Sequence, residues 1–382
     1  MNSVHLDWRR SDGWQPETAN QFKPNLVLYF GSRELLADAA RYHELRAMFP
    51  EACLMGCTTG GQIHDSEILD DEINAVALRF DAATVRAASV AVPDVNDSRR
   101  YGETLGRALS SDDLSAVFVL SDGLHVNGSE LVAGINSQVG NVPVTGGLAG
   151  DGPRFIETLV GVDAAPHSRN VAAIGFYGSS IRIGHGSAGG WDVFGPQRLI
   201  TKSKGNVLLG LDGKPALTLY ERYLGEDEIK ALPGSALLFP LQIHDPRRPE
   251  HQVVRTVLAV DHNDKSMTFA GDMPEGWVAK LMRGTFHRLA EGAADAAQQA
   301  RDGLENCRDD DGVAILISCI GRRLLMGQRA VDEVEAVNAV LGSSLRGVGF
   351  YSYGEISPHA TSGICELHNQ TMTVTTISEA AA

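Results

Sequence analysis

The stretch GFYSYGEISPHATSGICELHNQTMTVT, Gly349–Thr375, decides the fold. Its apolar start, GFYSY, reads as a buried strand that ends in a glycine turn at Gly354 and Glu355. A polar loop follows, then an alternating segment, CELHNQTMTV, that reads as a second strand. Glu366, His368, Asn369 and Gln370 cluster in this return segment among apolar residues. A buried polar group left without a partner costs about 1–3 kcal/mol. The cluster is therefore either a satisfied structural network or the wall of a ligand pocket.

Outward from this stretch the same order of elements recurs. VAILISCIG reads as a strand and VDEVEAVNAVLG as the helix before it returns to VGFYSYGEI. Near the start, NLVLYF is a strand, Arg33 to Phe49 has helical spacing, and CLMGCTTGGQI is a strand ending in a double glycine. TGGQI at 59–63 aligns with SYGEI at 352–356. In the middle, AVFVLSDG is a strand, Ser129 is placed to cap a helix to about Val139, and VPVTGGLAGDG is the next strand. INAVALRF and VRAASVAV read as an antiparallel pair, and FIETLVG and NVAAIGFYG as antiparallel followers of VPVTGGLAGDG. The predicted class is α/β, with mixed sheets built from repeated strand-helix-strand-hairpin modules.

Length predicts two domains. A turn at LDGKP places the boundary near residue 212. The division is an N-terminal arm or edge strand over 1–24, one domain over 25–212 and another over 213–377. VVRTVLAVDHNDKSMTFA reads as a hairpin around Asn263 and Asp264. The segment from Glu275 to Asp302 reads as one long helix, with Trp277, Leu281, Phe286 and Leu289 on its core face.

The net charge of −15 excludes a nucleic-acid backbone as partner and disfavours anionic lipid. No apolar run approaches the roughly 18 residues that span a bilayer. The first residues lack the apolar core of a secretory signal, so the expected location is cytoplasmic. Cys53, Cys57, Cys307, Cys319 and Cys365 are scattered, as reduced thiols are.

Catalytic motifs are sparse. GHGSAG at 184–189 matches GxGxxG, but GWDVFGPQ after it forms no helix to hold a pyrophosphate. Ser121, Asp122 and His125 in SDGLHVNG are either hydrolase parts or turn and cap residues. Cys319, close to Arg322, is either core or a reactive thiol. Among twelve histidines, His64, His125, His185, His244, His287, His359 and His368 lie near glycines or strand ends.

GCTTGGQI, the SDG turn with VNG, PVTGGLAGDG, SKGNVLLGLDGKPAL, SCIGR, and above all GFYSYGEI with CELHNQTMTV resemble the FIST family (F-box and intracellular signal transduction). They span about Asn25 to Thr375 in the family's order, covering its N-terminal and C-terminal parts. The resemblance implies a bacterial sensory protein that binds a small molecule such as an amino acid. It also implies output through a partner such as a histidine kinase. Some stand-alone members bind haem and sense nitric oxide, which makes haem a candidate cofactor and His368 its candidate axial ligand.

The expected ligand site is thus Cys319, Arg322, Tyr353, Gly354, Glu355, His368 and Asn369. Arg322 would pair with an anionic group, Glu355 would accept from a donor, and His368 with Asn369 would form a polar floor. Two alternatives stand beside it. One is an enzyme with Cys319 or Ser121 as nucleophile. The other is an interaction scaffold with no small ligand.

Overall fold

The computed structural model describes residues 1–232, 234–304 and 312–380; Cys307 lies outside them. Three modules repeat the same path. Each begins with a lead strand: Leu26–Gly31, Leu114–Ser121 or Gly312–Cys319. Helical chain follows, and then a second strand lies parallel to the lead: Cys53–Thr58, Val144–Leu148 or Leu345–Ser352. A return strand runs antiparallel to the lead: Ile73–Arg79, Asn170–Tyr177 or Met372–Glu379. Lead strands such as LVLYFG are buried along their whole length, as strands covered on both faces must be.

Neighbouring modules exchange strands. After its glycine turn, each module donates a short strand to another module's sheet. Gln62–His64 joins Leu345–Ser352, Val160–Val162 joins Cys53–Thr58, and Gly354–Pro358 joins Val144–Leu148. A further strand crosses in the opposite sense. Thr84–Ala91 pairs with Asn170–Tyr177, and Ile181–Ala188 with Met372–Glu379. Asn2–Arg9 completes the cycle by pairing with Ile73–Arg79. The three six-stranded sheets therefore form a closed ring, and two of them draw strands from both sides of residue 212.

These exchanges alter the expected pairings. Ile73–Arg79 and Thr84–Ala91 lie in different sheets and are not partners of each other. Asn2–Arg9 is an interior strand, flanked by Ile73–Arg79 and Gly13–Gln15, rather than an arm. Leu6 and Trp8 anchor it in the core.

Between Ile181–Ala188 and the third lead strand the chain makes a separate nine-stranded sheet within 192–283, with its own apolar core. The expected hairpin is present as Val257–Asp261 with Ser266–Phe269. The expected long helix is divided. Val278–Arg283 is a strand of this sheet, and the helix is Phe286–Asp302. Gly284 separates them, and the Thr285 hydroxyl caps the helix by accepting from the Arg288 amide at 3.4 Å. Leu281 consequently packs in the inserted sheet's core. Among the described residues, no helix is long and apolar enough to cross a membrane.

Candidate functional site

The three modules meet at the carboxyl ends of their parallel strands, where open α/β sheets place ligands. Backbone bonds link the strand ends in a cycle. The Gly150 amide donates to Thr58 O at 2.9 Å, Tyr353 to Leu148 O at 3.2 Å, and Gly60 to Tyr351 O at 2.7 Å. Beside this knot lies a cleft of about 220 Å³, lined by Thr59, Gly60, Gly61, Asp151, Arg154 and Arg323, with Glu34, Asp70 and Asp71 at its acidic side.

Arg323 comes from the third module and reaches across to the first. Its guanidinium donates to the Gly60 carbonyl and forks onto Asp70 at 2.9 and 2.7 Å. Its cationic plane lies 5.3 Å from the Tyr351 ring centroid. Asp70 is largely exposed, at 68% of its side chain. Gly61 has φ +128°, and a Cβ there would run into the guanidinium.

Asp151 forms the opposite wall and is fully buried. It accepts from Arg33 at 3.2 Å and from the amides of Phe155, Ile156 and Glu157 at 2.9, 3.1 and 3.2 Å. The Tyr353 hydroxyl also donates to it. Burial pushes the Tyr353 phenol above its ordinary range. The Tyr353 ring stacks on Phe155 at 4.4 Å, so the loop after Asp151 is held as a rigid rim.

The residues expected from sequence fall into two groups. Tyr353 does not line the cleft but holds one of its walls from behind, by donating to Asp151 and to the Gly152 carbonyl. The others lie behind the cleft. Arg322 is fully buried and faces Glu333 at 2.8 Å, not the cleft. It also donates to the carbonyls of Gly189, Leu289 and Gln370 at 2.5, 2.7 and 3.3 Å. Glu355 accepts from Ser352 Oγ at 2.7 Å, and from the Thr371 hydroxyl and amide at 2.9 and 3.2 Å. Burial lifts its carboxyl to about 7. Gly354 packs against Leu148 and Leu367 in the strand pairing. The Asn369 amide is buried, with neither polar atom paired.

His368 does not fit a haem. Its Nε2 is engaged with the Ser357 carbonyl at 3.0 Å. His359 stacks on it at 6.1 Å, and Arg255 binds the adjacent Leu367 carbonyl at 3.1 Å. Burial holds the imidazole down at about 3. An axial ligand needs a free nitrogen facing an apolar slot, and this one faces carbonyls and cationic or polar neighbours.

The nucleophile candidates are not assembled for attack. Burial pushes the Cys319 thiol up, away from the thiolate form. Ser121 Oγ donates to the Asp122 carbonyl at 3.0 Å rather than to His125. Asp122 holds the turn by accepting from the amides of Leu124, His125 and Arg169 at 2.7, 2.8 and 2.8 Å.

Sequence reading missed Arg323, Asp151, Gly61 and Asp70. The available signal was the pair of glycine-rich strand ends, TTGGQ and LAGDG, one from each of two modules.

A family model described as the FIST N domain matches residues 25–214, and one described as the FIST C domain matches 216–358. An uncharacterized protein of Methanocaldococcus jannaschii is 23% identical over 300 residues, 71% of this chain and 55% of that protein. The chain therefore spans about half the length of this curated relative. Among solved structures, a cyanuric acid hydrolase from A. caulinodans is similar at TM-score 0.38 and 10% identity, over 100% of this chain and 99% of that one.

Proposed function

This chain belongs to the FIST family, whose domains are sensory and associated with signal transduction, and from that premise we propose that it senses a small amino-acid-like molecule in the cleft between its three modules. The observation that supports this reading is the Arg323 guanidinium, forked onto an exposed carboxylate at the mouth of that cleft. An exposed ion pair of this kind is worth about 0–1 kcal/mol. A ligand carboxylate can displace Asp70 at little cost and take the same bidentate geometry. Glu34 and Asp71 then face the ligand's ammonium group. The volume of about 220 Å³ sits below the roughly 300–1,000 Å³ of drug-sized sites, which suits a ligand of amino-acid size.

Because the cleft wall comes from all three modules, a ligand that bridges Arg323 and the Asp151 rim favours one arrangement of the ring over others. A partner such as a histidine kinase would read that shift in population.

The test is thermal denaturation of the full chain against a panel of amino acids and short carboxylic acids. A subset should raise Tm. Arg323→Ala and Gly61→Ala should abolish the rise, the second by displacing the guanidinium. Asp70→Asn should keep or enlarge it, since a competitor is removed. A ligand-dependent rise that survives Arg323→Ala unchanged would remove this site.

A further inference from the structure

His5, His64 and Asp65 converge where the ring closes, outside the cleft. His5 lies on Asn2–Arg9 and His64 ends Gln62–His64, so the group joins two sheets. One donor atom from each residue can be chosen so that all lie within 4.8 Å of one another. His64 Nε2 and Asp65 Oδ2 are 4.0 Å apart. The two imidazoles face each other with centroids 6.1 Å apart and an interplanar angle of 30°.

His5 is 9% exposed, and neither of its ring nitrogens has a hydrogen-bond partner. A neutral imidazole carries one donor and one acceptor, and each is costly to bury unpaired.

Asp65 is fixed in place as well. Its φ is +49°, in the left-handed region. Its amide donates to Gly347 O at 2.9 Å, and its carbonyl accepts from Asn338 Nδ2 at 2.8 Å. Arg346 grips the carboxylate at 2.5 Å to Oδ2 and 3.3 Å to Oδ1. Metal-bound carboxylates are commonly held by such an outer donor.

We propose that His5, His64 and Asp65 form a binding site for a divalent first-row transition ion, with zinc as the ion to which the donors are best suited. Two imidazoles and a carboxylate are donors that zinc accepts at about 2.0–2.2 Å. In a tetrahedron those bonds separate neighbouring donors by about 3.3–3.6 Å, so donors that now lie within 4.8 Å of one another draw together on one ion. Three protein ligands leave the fourth position for water or an outside molecule. The ion ties the ring-closing strand to the third module's sheet, so binding stabilises the fold.

The experiment uses tag-free full chain, stripped with chelator and titrated with zinc alone in competition with a chromophoric chelator. One equivalent should bind, Tm should rise, and cobalt in place of zinc should show no thiolate charge-transfer band. His64→Ala and Asp65→Asn, at partly exposed positions, should each weaken binding at least tenfold with unchanged circular dichroism. Absence of binding, affinity unchanged in both variants, or a thiolate band that places the ion on cysteine would each overturn the proposal.

Discussion

Glu355 and His368 sit opposite each other on paired strands, and burial shifts them in opposite senses. Glu355 is lifted from 4.5 to about 7, so between these values the folded chain keeps a proton that the unfolded chain has released. Its stabilising contribution is complete below 4.5 and is lost as pH rises through about 7. His368 is lowered from 6.5 to about 3, so its contribution is complete above 6.5 and is lost as pH falls toward 3. The two slopes oppose each other between 4.5 and 6.5, so Glu355→Gln should remove a decline of about 3 kcal/mol between 4.5 and about 7 and leave the His368 loss below 6.5 intact. Urea midpoints of wild type and Glu355→Gln from about pH 5 to pH 8 check this; a stability difference between the two that stays constant across that range speaks against it. At this scale sequence legibility was limited by direction. Arg322 and Arg323 are adjacent, but successive helical residues point about 100° apart. One enters the core and the other enters the cleft.

Elements were easier to read than their ends. The helix Gly128–Val139 ends where the sequence reading put it, but its cap is Asn127, not Ser129. The Asn127 side chain accepts from the amides of Ser129 and Glu130 at 3.1 and 3.3 Å, while its Nδ2 donates to Asp272 at 3.0 Å, in the loop after Ser266–Phe269. Ser129 Oγ is buried without a partner. This helix packs against Ser98–Leu109 through glycines on both sides. A Cβ on Gly102 would collide with the Leu131 carbonyl, and one on Gly134 with the Arg99 carbonyl. Gly102→Ala gains about 1 kcal/mol of helix propensity. It should nevertheless destabilise by about 1–3 kcal/mol through overpacking. Denaturant midpoints decide the sign; a stabilised variant would mean that the helices are not this close. Glu275–Asp302 misled for a related reason. Alanine-rich composition carries helix propensity, but Val278–Arg283 is claimed by strand partners far away in sequence.

For the whole molecule, the ring depends on its first strand. Leu6 is fully buried in Asn2–Arg9, in a segment whose composition reads as a polar arm. Leu6→Ala should cost about 2–5 kcal/mol, as a core truncation does. Substitutions in a true arm stay within about 0.5 kcal/mol. Equilibrium unfolding separates the two outcomes. The repeated modules were visible in sequence because each carries its own apolar strands, helix and glycine turn. Their exchange was not, since donated and closing strands are short and pair with residues up to hundreds of positions away.

Local chemistry alone settled the module, its glycine turns and the family to which the chain belongs. These depend on apolar periodicity and turn-forming residues within a few dozen positions. Closure of the ring, the inward commitment of Arg322, Glu355 and His368, and the choice of Arg323 for the cleft were decided only in three dimensions. Which side of a strand or helix meets solvent depends on what packs against it, and here the packing partners come from other modules.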